Sequence, residues 1–248
     1  MRRLMSYLVI ALLAVTSAGA EEAPAPAKSP EAIEILKKVD TATKAVDSVR
    51  YKATSTPDGV AVNFVAASEG SVVMEGWNGQ TPQKFRIEAT TKRPGAEEPV
   101  HLTAGGNGET FFLVDGAAKK VYEDMDPAVM GRTGQALRAL MMAEFVHDKP
   151  FDDELNAENV QLLGKETVGG EECHKIEIAY GGGQGASTWF FSTRDNLPRR
   201  RVRKFTTPQG DGTLDLTITS LEVSPKLDAA VFAMKLPDGY QKIDDFAP

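Results

Sequence analysis

Cysteine is almost absent: Cys173 is the single one in 248 residues, so no internal disulfide can form. A disulfide scaffold is excluded, and stability must come from a packed core. Histidine is nearly as scarce. His101, His147 and His174 are scattered without the spacing of metal ligands, so no metal site is expected. An excess of positive charge is missing as well. The chain carries 28 Lys and Arg against 35 Asp and Glu, and removing Arg2 and Arg3 leaves 26 against 35, a net of −9. Such a balance gains little from nucleic-acid phosphates or from an anionic lipid surface, both of which draw on clustered Lys and Arg. Beyond the N-terminal twenty residues no run is apolar enough to cross a bilayer as a helix, which takes ~20 residues.

What is present begins with an export signal. Arg2 and Arg3 make a positive start, Leu4 to Val15 is apolar apart from Ser6 and Tyr7, and Ala18-Gly19-Ala20 supplies the small residues a signal peptidase requires. This predicts a signal peptide over 1–20, cleaved after Ala20, and delivery to the periplasm. The apolar run is too short to remain as a span, and no Cys follows it to take a lipid, so no stable membrane anchor is expected. Residues 21–28 (EEAPAPAK) read as a flexible Pro/Ala-rich tether. Residues 29–248 then read as one domain, because neither an internal repeat nor a composition break divides them. A monomer is the expectation.

A helix opens the domain. Ser29 suits the N-cap and Pro30 the first helical position, after which Ile35, Val39, Ala42 and Val46 recur at helical spacing. Short strands follow near 50–56, 60–66, 69–77, 83–92, 99–105 and 109–123, the last folded as a hairpin about Asp115-Gly116. Asp126 and Pro127 then start a helix through residue 146, with Met130, Leu137, Leu140, Met141 and Phe145 on one face and Gly131 and Gly134 as weak points. Strands resume near 160–168, 171–180, 186–193, 198–206 and 213–223. The reading is mainly β with α: roughly eleven strands in a meander closed or half-closed into a barrel, with helices over its open face.

Enzymatic constellations are missing. No serine sits in a Gly-x-Ser-x-Gly elbow, and the glycines at 181–185 lack the Lys and Ser/Thr of a phosphate loop. Cys173 and His174 are strand neighbours, which point to opposite faces, so a buried inert thiol is expected. The run Arg199 to Lys204 reads as a solvated strand that discourages aggregation. No catalytic residue, metal ligand or cofactor is assigned. What remains is apolar surface. Phe111-Phe112 and Trp189-Phe190-Phe191 put aromatics on both faces of their strands, and Met125, Met130, Met141 and Met142 crowd the helical insertion. Methionine fills ordinary cores and also suits surfaces that accept varied apolar partners.

Several segments together resemble the LolA/LolB-like superfamily of envelope proteins, whose founding members carry or receive lipoproteins. They are Val49-Arg50-Tyr51-Lys52-Ala53, Glu69 to Met74, Pro82 to Glu88, Gly106 to Phe112, and the closing Leu227 to Phe232 with Leu236-Pro237-Asp238-Gly239-Tyr240. Glu172 to Ile176, Trp189 to Ser192 and Leu197 to Arg200 are similar to predicted periplasmic proteins of unknown function within it. Founding carriers have an Arg, tied to lid movement, before the Pro of the third segment; here Thr81 precedes Pro82. The resemblance implies a single unclosed (half) antiparallel β-barrel, with an N-terminal helix and a lid helix over a concave apolar face. It implies a non-enzymatic carrier for an apolar small molecule, lipid or lipoprotein acyl chain. Phe85, Ile87, Phe111, Leu113, Leu137, Met141, Phe145, Trp189 and Phe191 are the candidate cavity lining. The competing reading is a sensor or scaffold that grips an envelope protein through the same groove or a sheet edge.

Overall fold

A computed structural model describes residues 28–243 except 93, 94 and 96. The expected signal peptide, and the tether as far as residue 27, lie outside the described residues. The first helix, α1 (Pro30–Lys44), forms as its caps dictate: Ser29 accepts from the Ala32 amide, Pro30 occupies the first turn, and Glu31 and Lys44 sit at the ends the helix dipole favours. Its buried stripe is Ala32, Ile35, Leu36 and Val39, with Thr43.

The strands are β1 (Ser48–Gly59), β2 (Ala67–Trp77), β3 (Pro82–Lys92), β4 (Val100–Gly106), β5 (Phe111–Asp115) and β6 (Lys120–Asp124) in the first block. The second block holds β7 (Asn159–Val168), β8 (Glu171–Ala179), β9 (Ala186–Ser192), β10 (Pro198–Thr207) and β11 (Gly210–Val223), and β12 (Gln241–Ile243) ends the described chain. They form one sheet in the order β12-β6-β5-β4-β3-β2-β1-β11-β10-β9-β8-β7. Each block is a meander, and the β1–β11 pair welds them together. The ends, β12 and β7, are not paired to each other, so the barrel is unclosed.

The strands depart from the expected pattern in four places. β1 runs on through Pro57-Asp58-Gly59 because β11 supplies partners Leu214, Thr213 and Gly212, overriding the turn chemistry. The strand expected at 60–66 is instead a 3-10 turn, Val60–Asn63, entered through Gly59 at φ 60°. The β5–β6 turn has four residues rather than two: Asp115 Oδ1 accepts from the Ala117 and Ala118 amides, and Lys119 takes a positive φ. β12, which sequence periodicity did not reveal, pairs parallel to β6.

The lid differs most. Instead of one helix it is a chain of short pieces: a 3-10 turn at Pro127–Met130, α2 (Gly131–Leu137), and 3-10 turns at Arg138–Leu140 and Ala143–Val146. Gly131, at φ 53°, breaks the ladder at its start. α3 (Asp152–Asn156) completes the cover.

One large buried cluster joins α1 and the lid to the alternate residues of the sheet, among them Tyr51, Met74, Ile87, Ala104, Ile176, Ile178, Leu216 and Ile218. The other face carries two small clusters. Phe112, Val114 and Val121 lie under Met234 and Tyr240 of the returning C-terminal segment, which Arg86 also holds by donating to the Ala233 carbonyl at 3.0 Å. Cys173, Val168 and Phe190 form the second.

Candidate functional site

Strand alternation on β3, β5 and β9 brings six of the nine candidate residues to one face of the sheet, and the lid brings Leu137, Met141 and Phe145 against it. Phe85, Ile87, Leu113, Leu137, Met141, Phe145, Trp189 and Phe191 belong to the large cluster, and half-buried Phe111 packs against it. Two aromatic nests stand out. Trp189 and Phe191 project from the same face of β9, stacked at 5.6 Å, and Phe151 from the lid side meets both edge-on at 5.3 Å. Phe85 and Phe111 pair at 6.3 Å on β3 and β5. The lid fills the space between them with its own apolar side chains: Leu137, Leu140, Met142 and Phe145 are at most 1% exposed.

Two polar clasps hold that cover down. The Tyr51 hydroxyl, on β1 and fully buried, donates to the Leu140 carbonyl and accepts from the Met142 amide, each at 2.8 Å. It thereby satisfies two backbone groups at a break between 3-10 turns. From β10, Arg201 donates to Glu144 Oε1 at 2.5 Å and to the Met141 carbonyl at 3.5 Å, while its guanidinium lies 5.1 Å from the Trp189 ring. Both side chains of this ion pair are less than 20% exposed, so removing either one would strand a largely desolvated charge. The other Glu144 oxygen is buried with no hydrogen-bond partner among the described residues.

Arg201 belongs to the basic run expected to be a solvated strand, and the structure corrects that expectation. β10 is interior, between β9 and β11. Arg199 is buried and paired with Glu171 and Asp195; Arg200 makes a bidentate pair with Asp215; Lys204 reaches Glu177. Arg199, Arg200, Arg201 and Lys204 are the basic half of an ion-pair network, while Arg203 and Lys204 keep the exposure expected of the whole run.

Beside the Arg201 clasp lies a polar pocket of about 440 Å³ bordered by Glu144, Glu154, Tyr180 and Arg201. Glu154 is 6% exposed and accepts from the Tyr180 hydroxyl at 2.8 Å. Burial, and then the neighbouring Glu144 charge, push its carboxyl up to about 7. The Tyr180 phenol is pushed above its ordinary value by the same burial. Cys173 is free and buried, as expected, and burial drives its thiol up to about 11, the opposite of an activated nucleophile. Among the described residues no group of three His, Cys, Asp or Glu could hold a metal ion.

A second opening lies at the end of the apolar cluster, where α2 faces the β1–β2 connection. This rim pocket, about 570 Å³, is lined by Val62, Phe64, Leu102, Ala136 and Leu137, with Arg132 and Thr133 at its polar side. Of the nine candidates only Leu137 reaches it. Sequence periodicity missed Phe64, since the segment 60–66 read as a strand, and it carried no signal for Arg132, Tyr51 or Arg201.

The family described as "Predicted periplasmic protein (DUF2092)" matches residues 32–245. No curated protein matches the chain. Among solved structures, LprF from Mycobacterium bovis is similar with a TM-score of 0.53 and 14% identity, over 86% of this chain and 99% of LprF. MucB, also solved in the Pseudomonas aeruginosa MucA/MucB complex, gives a TM-score of 0.50 and 10% identity over 84% of this chain and 64% of MucB. Lipoprotein LppX from Mycobacterium tuberculosis gives 0.46 and 12%, over 82% of this chain and 100% of LppX. At these identities the likeness is one of fold. What the chain shares with LprF and MucB is the fold, here an unclosed sheet under a lid.

Proposed function

The chain belongs to the DUF2092 family of predicted periplasmic proteins, and we propose that this protein is a carrier for an apolar ligand, either a lipid or a lipoprotein acyl chain. Its leader is removed after Ala20, and it performs no catalysis. The observation that carries the reading is the pairing of an aromatic-rich sheet face with a cover made only of short pieces. A long helix would be a permanent part of the core. A cover built of 3-10 turns and a two-turn helix, fastened by Tyr51 and Arg201, can be displaced piecewise once the incoming ligand covers the apolar side chains that the move exposes. An acyl chain entering between cover and sheet replaces the lid's apolar contacts with its own, so Trp189, Phe191, Phe85 and Phe111 stay out of water.

Uptake tests this. Detergent-free protein is incubated with vesicles of envelope lipids, separated by gel filtration and extracted. One lipid or acyl chain per protein is the expected result. Protein that emerges lipid-free refutes a carrier role.

A second reading has its own observation. β7 ends the sheet with Leu163 50% exposed and a register shift between Leu162 and Lys165. Such an edge suits strand addition by an envelope protein, and MucB, of the same fold, is known in complex with MucA. A photo-crosslinker at position 163 that captures no envelope protein in cells rules this mode out.

A further inference from the structure

We propose that the rim pocket binds a long-chain carboxylate, with the hydrocarbon tail running inward past Leu102 and Leu137 and the carboxylate at its mouth on Arg132. The proposal rests on the carrier reading and specifies its cargo. Three observations carry it. Phe64 is 64% and Val62 36% exposed, so two large apolar side chains stand in water beside an apolar opening, where a tail would cover them. The volume, about 570 Å³, lies in the range of ~300–1,000 Å³ that suits small-molecule sites, and Leu137 connects the pocket directly to the buried cluster.

The third observation is electrostatic. Arg132 is the single charged side chain lining the pocket among the described residues, and no described residue gives it an ion pair or hydrogen bond. This holds although acidic residues outnumber basic ones, 35 to 28, and although Arg199, Arg200 and Arg201 all have carboxylate partners. A guanidinium offers a planar fork that matches a carboxylate. Thr133 and Asn63, also at the pocket, can add hydroxyl and amide donors. One cation balances one carboxylate. A phosphate monoester, at about −1.5 to −2 near neutral pH, would need a second.

Equilibrium binding of hexadecanoate, hexadecan-1-ol and hexadecyl phosphate, below their aggregation concentrations, tests the assignment on the mature protein and on its Arg132→Gln and Phe64→Ser variants. Both positions are exposed, so neither change should disturb folding, which circular dichroism verifies. Hexadecanoate should bind tightest, about tenfold better than the alcohol, and Arg132→Gln should erase that preference while leaving the alcohol unaffected. Phe64→Ser should weaken both, and each methylene removed from the tail should cost about fourfold. If the wild type binds acid and alcohol equally, or Arg132→Gln changes neither, the headgroup assignment is overturned while the carrier reading survives. If hexadecyl phosphate binds best, the carboxylate assignment is wrong. If Phe64→Ser is silent for every probe, the tail does not lie in this pocket. Failure of all three probes, with vesicle lipid still taken up, rejects the inference alone; failure of both rejects the carrier reading as well.

Discussion

Tyr51→Phe separates the fastening of the lid from its packing. The ring remains, along with its tilted contact with Phe145 at 5.9 Å, and only the hydroxyl is lost. With it go two hydrogen bonds, to the Leu140 carbonyl and from the Met142 amide, both buried. Removing one partner of a buried pair strands the other, at ~1–3 kcal/mol each. Opening the lid returns Leu140 and Met142 to water, so the closed state alone bears this cost. Even ~2 kcal/mol in total raises the lid-opening equilibrium about 30-fold, at 1.4 kcal/mol per factor of ten. Amide hydrogen exchange reads this directly, because Met142 N–H is the group that loses its acceptor. Peptides covering 138–147 should exchange about 30-fold faster or more in the variant, while the β1–β11 ladder from Val49↔Val223 to Gly59↔Gly212 keeps its protection. Equal exchange in the two proteins would show that Tyr51 does not fasten the lid. Acceleration in the ladder as well would mean that the change weakens the whole domain instead.

Arg201→Met leaves the Glu144 carboxylate in a mostly buried site without its cation, which costs about 3–5 kcal/mol in chemical unfolding. Adding Glu144→Leu should restore most of that loss, and a double variant no better than the single would refute the clasp. Glu154 sets a pH dependence. Its carboxyl holds a proton up to about 7 in the folded protein against an ordinary value of 4.5 once unfolded, so its contribution to stability is complete below about 4.5 and falls as pH rises through about 7, by at most ~3 kcal/mol. Glu154→Gln should flatten that fall in denaturation curves between pH 5 and 8; an unchanged slope would mean that Glu154 titrates normally. Cys173, 0% exposed with its thiol raised to about 11, should react with a disulfide reagent at pH 8 about 100-fold more slowly in the native protein than in urea. Fast native labelling would contradict its burial.

Period-two patterning was enough to place six of the nine candidates, Phe85, Ile87, Phe111, Leu113, Trp189 and Phe191, on one face of the sheet, because alternation decides which side a strand residue takes whatever its partner strand; Leu137, Met141 and Phe145 come from the lid. The same rule correctly put Phe112 and Phe190 on the other side. It could not foresee what depends on a distant partner. Pro57-Asp58-Gly59 looks like a strand end and becomes one only without β11 beside it. The run from Arg199 to Lys204 looks solvated until Glu171, Asp195, Asp215, Glu144 and Glu177 are brought against it by other elements. The broken lid was half legible: Gly131 and Gly134 were visible as weak points, but the switch from α to 3-10 geometry reflects the fit over the sheet. Tyr51 carries no local signal at all, since its acceptor and donor lie 89 and 91 residues away.

On the carrier reading, the covered aromatic face takes an apolar cargo. Native mass spectrometry of the mature protein, purified from its own envelope without detergent and compared before and after solvent extraction, tests that most directly. A carrier should show a stoichiometric added mass that extraction removes and that resolves as a lipid, fatty acid or acylated peptide. A protein that flies at its bare mass, and still does so after incubation with envelope lipids, would contradict that reading.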